Sequence, residues 1–279
     1  MCAVKEIGYY DIQSPYGYGG PLSNSDDEEF LDKAWKIYTD WCMEQHVLVE
    51  FIRFHPALKN YNYYRGEKFF DRKTIWIDCE SYYEDINSVW DQYEIRTRTA
   101  VRKAIKNDLT VEWCSADEFL NFFPSMYAEL MGRLAASKYY EFCNEYFSAL
   151  AKLEHTLLAV CKKNDEPIAG AMFLTSGNNM EYHLSAGNDI ARKHGATNLI
   201  LYEANKKAVC EGLGYLHLGG GTNTQADNQL LFFKKGFSKY EGEFYIGKTI
   251  FDVDMYESYK QQWMLDTGKP ADRVLFYKF

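Results

Sequence analysis

The sequence lacks the marks of several function classes. Its seven cysteines (Cys2, Cys42, Cys79, Cys114, Cys143, Cys161 and Cys210) are scattered, form no CxxC pair and are odd in number. A disulfide framework and a zinc site are therefore not expected, and free thiols in a reducing compartment are. No apolar run approaches the roughly 18 residues that a membrane span needs. The first residues hold no cationic-then-apolar leader, so a soluble, cytoplasmic protein is expected. Positive charge is not in excess: 31 Lys and Arg against 40 Asp and Glu leave a net charge of −9. Such a surface does not hold nucleic acid non-specifically, and any polyanion site must be a local patch. No H-x-x-x-H, no G-x-S-x-G and no Ser/His/Asp order is present, and there is no low-complexity segment or short repeat.

What is present suits a globular enzyme or binding protein. The 279 residues are 47% apolar, enough for one large domain or two ordinary ones with a core that needs no staples. The 23 tyrosines and 18 phenylalanines can line a groove, although at this level aromatics more often serve core and rim packing.

Read in order, residues 7–12 predict a strand that enters Ser14-Pro15-Tyr16-Gly17-Tyr18-Gly19-Gly20-Pro21, a loop dense in turn residues. It serves either as a structural turn or as a groove wall, with Tyr16 and Tyr18 as candidate ligand contacts. Ser25 reads as the N-cap of a helix, with Glu28 completing a capping box. Strands are expected over 47–54 and 74–78 and a helix over 80–93. In the stretch 96–107, Arg98, Arg102 and Lys106 fall at i, i+4 and i+8 and share a helix face, while Val101 and Ile105 mark an apolar one. Five cations in eleven residues are either a solvated face or a phosphate-binding surface. Helices are predicted over 116–134, with Ser115 as N-cap, and 145–153, and a last strand over 273–279. The two halves share a rough order of strand, helix, strand, helix, which places a domain boundary near 108–116, written here as domains 1–112 and 113–279.

The densest pattern lies between 168 and 251: strand, strand, helix, strand, helix, strand. Arg192-Lys193-His194-Gly195-Ala196-Thr197 precedes the first of these helices. It fits five of the six positions of Q/R-x-x-G-x-G/A, with Thr197 as the exception. A helix N-terminus there would present N–H groups to a pyrophosphate, so Arg192, Gly195, Ala196 and Thr197 are donor-site candidates; a plain basic loop is the other reading. Phe233-Lys234-Lys235-Gly236-Phe237 holds a lysine between aromatic anchors. Such a cation can face the oxyanion of an acyl transfer or simply sit at the surface. Tyr182, His183, Asp189, Asp78 and His217 are acid–base candidates, although lone histidines on strands are more often hydrogen-bonded core residues.

That element order resembles the second half of a GNAT-type acyltransferase. The series as a whole resembles the FemAB family of bacterial aminoacyl transferases: 14–21, Val49 to Pro56, Arg98 to Ala104, Ile168 to Phe173, Tyr182 to Ala186, Leu216 to Gly221 and Phe233 to Phe237, in the family's order. The resemblance implies a mixed α+β fold of two GNAT-like domains, the first reduced, each a mostly antiparallel twisted sheet flanked by helices. It implies transfer of an amino acid from aminoacyl-tRNA to an amine of a UDP- or lipid-linked peptidoglycan precursor. Lys234 would stabilise the tetrahedral intermediate, Tyr182 would orient a substrate group, Phe237 would close the motif at the substrate, and Arg98 and Arg102 would meet the precursor's phosphates. No metal and no permanently bound cofactor are expected, because the donor ester is already activated. Contact with the membrane surface is expected only for a lipid-linked acceptor. Two departures stand out: no long helical hairpin is inserted, and the Tyr-Gly-Tyr-Gly-Gly loop comes early. An acyl-CoA-dependent enzyme acting on an amino sugar or peptide amine is the alternative, and a binding protein that kept the fold and lost the chemistry is a third reading.

Overall fold

The computed structural model describes residues 2–4, 7–225 and 227–278. Along the chain come β1 (Cys2–Val4), β2 (Tyr9–Gln13), α1 (Glu28–Glu44), β3 (Val47–Arg53), β4 (Glu67–Asp78), α2 (Ile95–Lys106) and β5 (Leu109–Trp113). Next are α3 (Ala116–Leu120), α4 (Phe123–Arg133), α5 (Asn144–Ala151), β6 (Thr156–Lys163), β7 (Glu166–Ser176) and β8 (Asn179–Gly187). The chain continues with α6 (Asp189–His194), α7 (Ala196–Cys210), β9 (Tyr215–Gly220), α8 (Gln229–Lys235), β10 (Glu241–Ile250) and α9 (Val253–Thr267). The chain divides into two compact units, Met1–Lys73 with Gly242–Phe279, and Thr74–Glu241. Neither unit ends at 112/113. The first is discontinuous, because β10 returns to pair with β3, and β5 pairs with β6 inside the second.

In the first unit the strands run β1-β2-β3-β10. β2 and β3 are parallel, which requires a crossover, and α1 supplies it. Asp27, not Ser25, caps α1: its carboxylate accepts from Phe30 N at 2.9 Å, while Ser25 Oγ accepts from Asp27 N one turn earlier. Leu48, Val49, Tyr256, Leu275 and Phe276 form one core cluster. The strand expected over 273–279 is instead a 3-10 turn at Phe276–Lys278. A strand would send Leu275 and Phe276 to opposite faces, whereas both are buried together. Lys278 Nζ and the Tyr277 hydroxyl meanwhile donate to the fully buried Asp11 at 2.7 and 3.1 Å. Phe279 lies outside the described residues.

In the second unit the order is β4-β9-β8-β7-β6-β5, antiparallel except for β8 and β9. One face carries α2 and α7 over Ile75, Ile77, Val101, Ala171, Leu201, Leu216 and Leu218, all buried. Helices α3, α4 and α5 pack against β6, β7 and β8. The helix expected over 116–134 is two helices, because Phe119 and Phe123 stack at 4.4 Å across the break and Pro124 fits a first turn. Residues 80–93 form two 3-10 turns, Glu80–Tyr82 and Ile86–Gln92, and Asp85 caps the second through Asn87 N. In α2 the buried residues are Thr97, Val101 and Ala104; Ile105, expected on the apolar face, is half exposed.

Candidate active site

β8 and β9 pair only over Asn179–Glu181 and Tyr215–His217, after which no register joins them. β8 continues to Gly187, so two parallel strands part at their C-terminal ends. That is where ligands sit in open α/β sheets. The β7 register also shifts here: Met172 faces Leu184 and Phe173 faces Tyr182, so a bulge falls at His183. Bulges re-aim side chains and are common beside active sites.

Beyond the end of β9, side-chain bonds of Asn228 set the start of α8. Asn228 caps it, its Oδ1 accepting from Leu231 N at 3.0 Å and its Nδ2 donating to Thr222 Oγ1 and Asn223 Oδ1, each at 2.8 Å. A Cβ on Gly221 would lie 2.4 Å from Asn228 Oδ1, so a larger residue must displace the Asn228 amide. The helix turns Lys234 inward, where it is 7% exposed and its Nζ donates to Gly220 O at 2.7 Å. Lys235 points out and pairs with Glu241 at 2.8 Å. Of the two lysines that the sequence leaves open, Lys234 is the one held in place at the end of β9.

Phe237, expected to close the motif at the substrate, sits in the core. It is fully buried against Tyr93 and Phe233, with centroids at 5.2 and 5.4 Å, and anchors α8 to the core. Tyr182 lies on the α2–α7 side of the sheet, its ring 5.5 Å from Phe173 and its hydroxyl bonded to Ser185 Oγ. Burial pushes that hydroxyl up to about 12.

The basic segment before α7 is the last turn of α6 rather than a loop. Arg192 is exposed and pairs with Asp189 at 3.4 Å. Gly195 joins the two helices at φ +80°, a left-handed conformation that glycine adopts without strain. A Cβ there would lie 3.2 Å from Ala100 O on α2, and Lys103 Nζ donates to Lys193 O. Ala196 is fully buried, so its small size serves packing, and Thr197 is half-buried. One residue on, Asn198 faces a cavity of about 270 Å³ lined also by Arg96, Thr97, Gln229, Phe232 and Phe233. Arg96 donates to Phe232 O at 2.7 Å, pairs with Glu94 at 2.7 Å and lies over the Phe232 ring at 3.4 Å. The first turns of α2 and α7 meet here, and both helix N-termini favour anions. Arg98 is half-buried and Arg102 stacks over Trp90 at 5.0 Å; neither lines this cavity.

On the face opposite α2 and α7 lies a pair that the sequence did not join. His217 Nδ1 and Glu181 Oε2 are 2.6 Å apart, with side chains 1% and 18% exposed. His183 bonds the Tyr146 hydroxyl at 3.0 Å, and burial lowers its pKa to about 4. In the first unit, Tyr16 and Tyr18 sit in a loop pinned to β3 by Gly19 N–Arg53 O at 2.7 Å and by Asn60 Nδ2, which donates to Gly19 O and Pro21 O. Tyr18 meets His55 and Phe244 edge-on at 5.2 and 5.5 Å. Among the described residues no group of three or more His, Cys, Asp or Glu is placed to hold a metal ion, and no helix is long and apolar enough to cross a membrane.

Arg96, Asn198, Gln229 and Glu181 escaped the sequence reading. Arg96 was visible within the cation run, but the i, i+4 phase selected Arg98 and Arg102. Glu181 carried no signal until strand pairing set it opposite His217.

Residues 92–234, just over half of the chain, match the family model described as an acetyltransferase (GNAT) domain. Among solved structures the chain is similar to FemX, at 16% identity and a TM-score of 0.69, covering 92% of this chain and 84% of that one. It is similar to L-PGS from Bacillus licheniformis, at 14% identity and a TM-score of 0.56, covering 76% of this chain and 71% of that one. A conserved protein of unknown function from Bacteroides thetaiotaomicron matches at 13% identity and a TM-score of 0.57, over 82% of this chain and 77% of that one. No curated protein matches the sequence. The chain belongs to the GNAT acetyltransferase family, with a FemX-like fold, and is an acyltransferase.

Proposed function

We propose that the protein transfers an amino acid from an aminoacyl-tRNA ester to an amine of a UDP- or lipid-linked peptidoglycan precursor. Lys234 carries this reading. An ammonium held almost out of water at the parting of β8 and β9 is placed to meet an oxyanion, and a fixed charge there acts through a low dielectric without reorganising. The acceptor amine attacks the ester carbonyl carbon, and the carbonyl oxygen becomes the oxyanion that Lys234 stabilises. Collapse then expels the tRNA oxygen, which leaves as the hydroxyl with the proton that the attacking nitrogen gives up. The likeness to FemX over 92% of the chain supports this choice of donor and acceptor, and Arg98 and Arg102 offer phosphate contacts on the outside of α2. The work is placed in the cytoplasm, with membrane contact only through a lipid-linked acceptor.

The cavity at Arg96 and Asn198 favours a second reading, an acyl-CoA-dependent transfer to an amino sugar or peptide amine. A guanidinium, two side-chain amides and two helix N-termini suit a phosphate of a nucleotide-bearing donor.

The test supplies radiolabelled aminoacyl-tRNA with a UDP-linked muropeptide, and separately acetyl-CoA with the same acceptor. Label is expected on the muropeptide, and Lys234→Met is expected to lower the rate roughly 100- to 1000-fold. Transfer from acetyl-CoA alone would overturn the proposed donor in favour of the second reading, and Arg96→Ala should then weaken CoA binding about tenfold.

A further inference from the structure

Helix α1 carries two apolar stripes. Leu31, Trp35, Tyr38 and Cys42 turn to the sheet: Leu31 and Cys42 are buried, Trp35 packs on the cluster of Ile52, Phe54 and Tyr64, and Tyr38 donates to Glu50 of β3. Phe30, Ala34, Ile37 and Trp41 form the second stripe. At about 100° per residue they fall within about 60° of the helix circumference, roughly 100° round from the first stripe. All four are exposed, Phe30 by 54%, Ile37 by 70% and Trp41 by 41%. Their spacing of four, three and four residues is that of a heptad seam, which forms where two helices pack side by side. The sheet accounts for the first stripe and not for the second. An apolar row rimmed by charge marks an interaction surface.

We infer that this seam receives the same seam of a second copy of the chain, antiparallel, in a two-fold symmetric dimer. The charges on α1 select that partner. Two lysines stand against five acids along Glu28–Glu44, so an anionic lipid or nucleic-acid surface is repelled. In the antiparallel pair Phe30 faces Trp41 of the other copy, and Ala34 faces its Ile37. Lys33 and Asp40 lie together on the outer flank of the seam, and the same register sets Lys33 of each copy opposite Asp40 of the other. The symmetry makes this contact twice, with opposite signs both times. A parallel pair forms neither contact. Lys33 and Asp40 meet Glu29 and Lys36 within their own helix, at 2.6 and 2.9 Å, on exposed side chains, so little is lost when they turn across. The inference does not depend on the acyl-transfer reading.

The test is sedimentation velocity of the full chain between about 1 and 200 µM, since a single helix pair lies at the small end of stable interfaces and should dissociate on the order of 10 µM. A concentration-dependent dimer is expected. Ile37→Lys, an exposed change that should melt within a few degrees of the parent, should leave only monomer. Lys33→Glu and Asp40→Lys should each weaken the dimer about tenfold, because both contacts then repel. Mixed in equal amounts, these two variants should pair again, since each meets the opposite charge on the other at both contacts. Only antiparallel pairing through this seam gives that rescue. A monomer at every concentration, a dimer that survives Ile37→Lys, or a mixture that does not recover would overturn the inference. Co-sedimentation of the parent with phosphatidylglycerol vesicles, abolished by Ile37→Lys, would assign the stripe to a membrane and overturn it as well.

Discussion

Replacing Gly221 by alanine tests how Lys234 is held. The new Cβ would lie 2.4 Å from Asn228 Oδ1, 2.5 Å from its Cγ and 3.0 Å from its Nδ2, so the Asn228 amide must leave its place. Its bonds to Thr222 and Asn223 are lost, along with the cap on Leu231 N. At about 1 kcal/mol for each amide bond and about 1 kcal/mol for the cap, the loss is about 3 kcal/mol. The alanine restricts the unfolded chain and returns about 0.5 kcal/mol, for a net cost of roughly 2.5 kcal/mol. In a unit of this size that corresponds to a fall in Tm of roughly 5–10 °C. The assay is denaturant unfolding followed by tryptophan fluorescence, since Trp76, Trp90 and Trp113 report on the second unit. The decisive comparison is a double-mutant cycle. In an Asn228→Ala background the clashing amide is gone, and Gly221→Ala should cost less than about 0.5 kcal/mol. An equal penalty in both backgrounds would refute the argument, because the strain would then lie in the backbone and not in Asn228. Since α8 carries Lys234, acyl transfer should fall in Gly221→Ala by more than the unfolded fraction explains.

Two further outcomes follow from the same geometry. His183 is neutral in the folded chain, with its pKa lowered from 6.5 to about 4 by burial. Above pH 6.5 both folded and unfolded states are neutral and its contribution is complete. As pH falls from 6.5 toward 4 the unfolded chain takes up a proton that the folded chain refuses, so up to about 3 kcal/mol of stability is lost in that window. Stability measured in urea from pH 7 to 4 should therefore fall less steeply in His183→Gln, and an unchanged slope would count against the burial argument. Phe237→Leu should cost about 1–2 kcal/mol by removing buried ring atoms while leaving KM for the acceptor unchanged; a raised KM with unchanged stability would return Phe237 to the substrate.

Much of this was legible without coordinates. Apolar runs marked β7, β8 and β9, because a strand covered on its faces needs apolar side chains whatever lies beside it in the fold. The order of those elements pointed to the acyltransferase fold, and the phenylalanine–lysine motif pointed to α8. Other features depended on contacts between distant segments. The capping site of α1 moved from Ser25 to Asp27, since several adjacent residues can cap and only the entry path of the chain selects one. The last segment reads as a strand by composition, but Asp11, more than 260 residues away, draws Tyr277 and Lys278 into a turn.

The class of the fold and the residues from which a site could be drawn were readable from the chain alone, because these depend on local period and residue chemistry. Only the tertiary structure decided which of them act together. Lys234 and Lys235 are equivalent in sequence, and the rotation of α8 against β9 buries one and exposes the other. Arg96 rather than Arg98 lines the cavity, where it meets Phe232 of α8. Glu181 and His217 are 36 residues apart and meet because β8 and β9 run parallel for three residue pairs before they part.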